Sequence, residues 1–278
     1  MVTAWRRWAP QVPVYLVVLS VLLVVVIPLA FAVLGGFRDN GQLTTSPAGL
    51  PDPWVFENYS DVIGMGSFWR QVLNSTLIAA LTTLLVLPAA SLAAYVLARY
   101  EFPGREGFYT LFTLGLLFPV TVAIVPLFVV LRDLGLLSNP LGVALPQAAY
   151  GLPLSIIIMR PFFRSLPREL QDAAAIDGCG PLRFYLAIML PLSRPVLSTI
   201  AVVTVVTSWN AFLLPLLVLT DPSSHTLPLG VNNFSSQYIT DTARILAYTT
   251  LSMVPALVVY ALAERQIVGG LTAGSVKE

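Results

Sequence analysis

The chain has little charge. Asp, Glu, Lys and Arg make up 10% of its 278 residues, against roughly 25% in a soluble domain. So few charges cannot cover a solvated surface of ordinary size. The two signs nearly cancel at a net charge of +1, leaving no basic excess to hold nucleic acid. The single cysteine, Cys179, can form no internal disulfide, and the single histidine, His225, builds no histidine metal site. Both read as incidental. Lys277 is the only lysine, so no phosphate-binding Walker A lysine exists in the chain. If ATP drives this protein, another subunit binds it. Nothing in the sequence pairs a nucleophile with a base in a plausible pocket, so the chain is not expected to be an enzyme.

What the chain has in abundance is apolar sequence: 56% hydrophobic residues and a mean hydropathy of +0.81. Six uncharged apolar runs, at 14–34, 73–98, 108–131, 141–159, 196–219 and 245–263, are each near the roughly 20 residues that cross a bilayer as a helix. The first competes with a signal-peptide reading, since Ala30-Phe31-Ala32 resembles a cleavage site, but it is long for that role. Pro119 and Pro126 in the third run, and Pro146 and Pro153 in the fourth, predict kinks. Neighbouring helices can satisfy the carbonyls that such prolines free, so the kinks read equally as a pathway or as ordinary packing. The organisation expected is an N-terminal flank at 1–13, a first membrane helix at 14–34 and an external loop at 35–72. A transmembrane core follows at 73–265, with a loop at 160–195 on the side of the termini, and a tail at 266–278.

Orientation follows from the basic residues. Arg6 and Arg7, beside Trp5 and Trp8, mark a cytosolic flank at the membrane surface. With the N-terminus inside, only Arg38, Arg70, Arg132 and Arg244 fall outside, and the other Arg and Lys residues lie within. That bias obeys the positive-inside rule and puts both termini and the 160–195 loop in the cytosol. The segment at 35–72 carries Trp54, Phe56 and Tyr59 and ends in an amphipathic stretch around Phe68 and Trp69, expected in the membrane interface.

Residues 166–195 are the polar interlude between apolar runs. Pro167 suits a first helical turn and Ser165 an N-cap. Leu170, Ala173, Ala174 and Asp177 then recur at helical spacing, with small residues that let another backbone approach. Asp177-Gly178 ends that helix, Gly178 taking the left-handed position, and a side chain there would strain the turn. Pro181 starts a second helix, which Pro191 and Pro195 are expected to end.

These residues carry a resemblance. Asp172-Ala173-Ala174, three residues, Gly178, nine residues and Ile188-Met189-Leu190-Pro191 resemble the EAA loop of binding-protein-dependent ABC importer permeases. The longer run from Pro167 through Glu169 and Leu170 to Ile176, Asp177 and Gly178 is similar to the carbohydrate-uptake branch, and within it to MalG-type permeases. Asp172 departs from the usual Glu, keeping the charge with a shorter reach. The resemblance implies an all-α membrane protein with the six-helix type I importer permease fold, in the prokaryotic cytoplasmic (inner) membrane. It implies partners: a second, MalF-like permease, an ABC ATPase dimer that binds ATP and Mg, and an extracytoplasmic substrate-binding protein. This chain itself would carry no cofactor and no metal. Glu169, Asp172, Ala173, Ala174, Asp177, Gly178, Ile188, Leu190 and Pro191 would form the contact through which the ATPase moves the spans. The Gly-rich C-terminal tail would reach the ATPase dimer; composition alone reads it as a frayed terminus.

No Asp, Glu, Lys, Arg or His falls inside the six runs. That counts against proton coupling and against a charged solute paired by this chain. A neutral sugar or oligosaccharide would be met by hydroxyl, amide and aromatic groups. Trp209 and Asn210, in a Ser-Trp-Asn stretch that resembles the sugar-permease pattern, are the first pathway candidates; Tyr150 and Gln147 are weaker ones. Asn210 reads equally as polar glue between helices. Two other readings stand: an ABC permease for another solute such as a glycerol phosphate compound, and an ATP-independent secondary transporter.

Overall fold

The computed structural model describes residues 12–235 and 240–272, with side chains at 13–235 and 240–261. The expected flank residues Trp5, Arg6, Arg7 and Trp8, and the tail from 273 to 278, lie outside the described residues. Described residues form helices and turns, with one isolated β-bridge between Ser235 and Thr240. Among the described residues, four helices are long and apolar enough to cross a membrane, or up to six spans if each of two bent helix pairs, 105–133 and 181–209, counts as one. The chain divides into two compact units, residues 1–68 with 231–254 and residues 69–230 with 255–278.

In the first unit, α1 (Val12–Gly35) leaves its apolar side chains exposed from Val14 to Ile27. Lipid tails or another chain must cover them. The segment after it folds rather than loops. Asp39 caps α2 (Asn40–Thr45), accepting from the Gln42 amide at 2.8 Å. The buried Arg38 donates to the carbonyls of Gln42 (2.7 Å) and Pro47 (3.0 Å). From α3 (Glu57–Gly64), Asn58 donates to the carbonyls of Gly36 and Arg38, and Tyr59 to that of Val33. Phe68 departs from the interfacial placement expected of it. It is buried edge-on against Tyr248, with ring centroids 5.5 Å apart, while Trp69 is exposed.

The second unit contains most of α4 (Gly66–Arg99), then α5 (Arg105–Gly115), α6 (Val120–Asp133) and α7 (Pro140–Ser165). Pro119 explains the shape of the third apolar run. It lacks an N–H and pushes Phe118 away from helical backbone, so α5 stops at Gly115 and α6 leaves at 94°. Pro126, Pro146 and Pro153 stay inside their helices. The fifth run is also interrupted: α11 (Arg194–Trp209) ends at its cap Asn210, and α12 (Leu213–Val218) starts at Leu213 with Pro215 in its first turn, where a missing N–H costs nothing. Asn74 and Ser75 open the second run and hold a distant segment. Asn74 donates to the carbonyls of Ser223 and His225, both at 2.9 Å, and Ser75 accepts from the Leu227 amide. In that segment the Ser223 amide donates to Asp221 and holds its carboxyl below the usual range.

At the start of α7 the backbones come close. A Cβ on Gly142 would overlap the Leu136 carbonyl oxygen and meet Val218 at 3.0 Å. Ile78, Leu131, Val143, Val218 and Leu229 form the buried cluster there. Gly142→Ala is expected to destabilise the protein by about 1–3 kcal/mol through overpacking. Thermal unfolding of the purified protein checks this, with Gly107→Ala, whose Cβ meets open space, as the unperturbed control.

Candidate functional site

The interlude at 166–195 is a helix pair, α8 (Glu169–Ile176) and α9 (Pro181–Phe184), the latter continued by a π-helical turn (Tyr185–Met189) and α10 (Leu190–Leu192). Two local expectations fail. Ser165 caps nothing: it is the last residue of α7, and its hydroxyl donates to the Phe162 carbonyl at 2.8 Å. Leu166 is extended, as a residue before proline must be, so Pro167 sits in the turn and α8 starts after it. Nor does Pro191 end the second helix. The π turn bonds the Leu190 amide five residues back, to Tyr185, and this looser turn makes room for the proline ring. The expected turn at Gly178 is present. At φ 75° its amide bonds to Ala175 (3.0 Å) and the next amide, of Cys179, to Ala174 (2.8 Å), the two bonds of a Schellman stop.

The pair has an inner and an outer face. Ala174, Phe184, Tyr185 and Met189 are buried in one cluster with residues of α4 and α7, and Ile188 and Leu190 pack against it. Glu169, Asp172, Ala173, Asp177, Gly178 and Pro191 are exposed. Among them stand apolar side chains that a lone chain would not leave in water: Ile176 is 87% exposed, Leu182 64% and Leu186 54%. Neither Glu169 nor Asp172 has an ion-pair partner among the described residues.

One end of α4 grips the pair. Ser91 and Tyr185 share a buried hydroxyl–hydroxyl bond of 2.6 Å. Tyr95 donates to the Pro181 carbonyl at 3.2 Å and lies 2.9 Å from the Tyr100 hydroxyl. Arg99, only 8% exposed, donates to the Leu166 carbonyl at 2.9 Å and that of Pro167 at 3.4 Å. Beside it the buried Arg160 pairs with Glu106, donates to the Leu97 carbonyl at 3.1 Å and stacks over Tyr109. By contrast the Arg168–Glu101 pair, 3.4 Å apart, is exposed on both sides and contributes about 0–1 kcal/mol. Sequence reasoning counted Arg99 and Arg160 only as topology markers; it passed over Ser91 and Tyr95.

A cavity of about 510 Å³ lies elsewhere in the same unit. Gln147, Tyr150 and Ser155 reach it from one face of α7, and Thr204, Thr207 and Ser208 from one face of α11. The bend between α5 and α6 borders it through Leu116 and Val120, and the gap between α11 and α12 through Ala211 and Phe212. Gln147 Oε1 accepts from the hydroxyls of Ser208 (2.6 Å) and Thr82 (3.0 Å), while its Nε2 is buried without a partner among the described residues. Of the four pathway candidates, the cavity brings together Gln147 and Tyr150. Trp209 is buried and does not line it, and Asn210 donates to the Val206 carbonyl of its own helix at 2.9 Å.

Comparison with known proteins accords with this architecture. Residues 86–267 match the family described as "Binding-protein-dependent transport system inner membrane component". The diacetylchitobiose uptake system permease protein NgcG of Streptomyces coelicolor is 36% identical, over 97% of this chain and 89% of its own length. The sn-glycerol-3-phosphate transport system permease protein UgpE of Yersinia pestis is 34% identical, over 90% of this chain and 91% of its own. A chain of the crystal structure of a bacterial ABC transporter involved in alginate import has the same fold, with a TM-score of 0.80 at 21% identity, over 95% of this chain and 98% of that one. The chain belongs to the binding-protein-dependent transport family: it is an inner-membrane permease component and not itself an enzyme.

Arg99→Ala removes a charge-assisted bond of the kind that contributes about 1.5–3 kcal/mol. Amide hydrogen exchange at 168–180 should speed up at least tenfold in that variant, with exchange in α11 unchanged.

Proposed function

We propose that this chain is the membrane-spanning permease of an ATP-driven importer for a neutral sugar or oligosaccharide, in the prokaryotic cytoplasmic membrane with both termini in the cytosol. It works with a second permease, an ABC ATPase dimer that binds ATP and Mg, and an extracytoplasmic binding protein that delivers the solute. The observation that carries this reading is the helix pair. Its inner face is pinned to α4 by Ser91, Tyr95 and Arg99, while Ile176, Leu182 and Leu186 stand exposed outside. An ATPase seated on that outer face would move the pair, and α4 with it. Glu169, Asp172, Asp177 and Gly178 lie on exposed surface, where they can meet the partner.

The relatives differ in solute, and the cavity favours the sugars. None of the residues lining it is basic, whereas a glycerol phosphate held there would need a cation or a row of N–H donors. Sugar hydroxyls fit its amide and hydroxyl groups. The absence of Asp, Glu, Lys, Arg and His from the apolar runs further favours ATP over a proton gradient.

The test is ATPase activity of the co-purified complex with its binding protein, against a panel of neutral sugars and glycerol phosphodiesters. Stimulation by one sugar is expected. Gly178→Asp should insert normally, because a Cβ there meets open space and Asp adopts left-handed backbone at about 1 kcal/mol. It should nevertheless lose the stimulation, since it places a new charge on the contact face. A complex with no associated ATPase would return the chain to the secondary-transporter reading.

A further inference from the structure

We infer that the cavity between α7 and α11 is a solute-contact site on this subunit, with the Gln147 amide as its central polar group and a sugar hydroxyl as the group it takes. The inference rests on the sugar-importer reading. It adds that this chain touches the cargo rather than serving only as scaffold and lever.

Gln147 carries the argument. One end of its amide is occupied by Ser208 and Thr82; the other, Nε2, is buried and has no partner among the described residues. A buried polar atom left unpaired is unfavourable by about 1–3 kcal/mol, a burden that a ligand can lift. Turning the amide over would pair the nitrogen with the two hydroxyls and leave the oxygen vacant instead. A sugar hydroxyl both donates and accepts, so it completes either arrangement; a carboxylate or phosphate, an acceptor only, completes one.

The second observation is backbone. Two helix interruptions come to this cavity, the bend between α5 and α6 at 116–119 and the gap between α11 and α12 at 210–212. Unwound backbone at membrane depth persists where it is buried in protein or lines a cavity, and interrupted helices mark binding sites in transporters. Tyr150 and Phe212 add aromatic surface, and Thr207 is an exposed hydroxyl. About 510 Å³ falls within the range typical of small-molecule sites.

The experiment uses the reconstituted complex of both permeases, ATPase and binding protein in proteoliposomes, with sugars from a neutral panel. Gln147→Leu and Thr207→Val should each lower the sugar imported per ATP hydrolysed about tenfold, as loss of one ligand hydrogen bond in a buried site does. Leu145→Ala, on α7 but off the cavity, is the control. A second measurement needs no loss of function: Thr207→Cys in a Cys179→Ser background, labelled with a thiol reagent during turnover. Sugar should slow that labelling at least threefold. A wild-type complex that imports none of the sugars defeats the sugar reading. One that imports sugar while Thr207→Cys labels at the same rate with and without it, and while both variants keep the wild-type ratio, defeats the site alone.

Discussion

Arg99 makes the contact on which the rest of the second unit depends. Its guanidinium closes on the carbonyls of Leu166 and Pro167, the turn where α7 hands over to α8. Those carbonyls have no helical partner, because Pro167 forbids the helix from continuing, so a buried cation satisfies them instead. With Tyr95 at Pro181 and Ser91 at Tyr185, the same end of α4 holds the entry of the helix pair, the start of its second helix and its π turn. Ala174, small enough to lie in the cluster with α4 and α7, completes the inner face.

The second constraint is the bilayer. Where no water competes, backbone groups must pair within helices, and a break is tolerated only against protein or a cavity. Two interruptions satisfy that rule at one place: Pro119 forces the bend between α5 and α6, and the gap between α11 and α12 faces the same space, which holds Gln147. The lever and the cavity thus share α4 and α7. Arg99 and Thr82 are on one, and Phe163 and Gln147 on the other. In the proposed cycle, force applied at the exposed Ile176 and Leu182 reaches the cavity through these two helices.

Much of this was legible in the sequence. Apolar runs located the spans, and the motif from Asp172 to Pro191 located the helix pair, because both are local patterns. Gly178 was readable because only a left-handed stop fits Asp-Gly after a helix. The grip of α4 was not, since Ser91, Tyr95 and Arg99 meet their partners more than sixty residues away. A serine or tyrosine within an apolar run gives no sign of its partner. Pathway residues were half legible: composition pointed to amide and aromatic groups, but the helix phase that sends Gln147 and Tyr150 to the cavity, and Asn210 back to its own helix, emerges only from packing.

The central claim is that the helix pair and α4 move as one body. Spin labels on Leu84→Cys and Leu182→Cys, both exposed positions, in a Cys179→Ser background measure it in the assembled complex. The account predicts that their separation holds to within about 2 Å between the nucleotide-free and ATP-bound states. A change of about 5 Å, one helical turn, would mean that the pair slides past α4 and would contradict it.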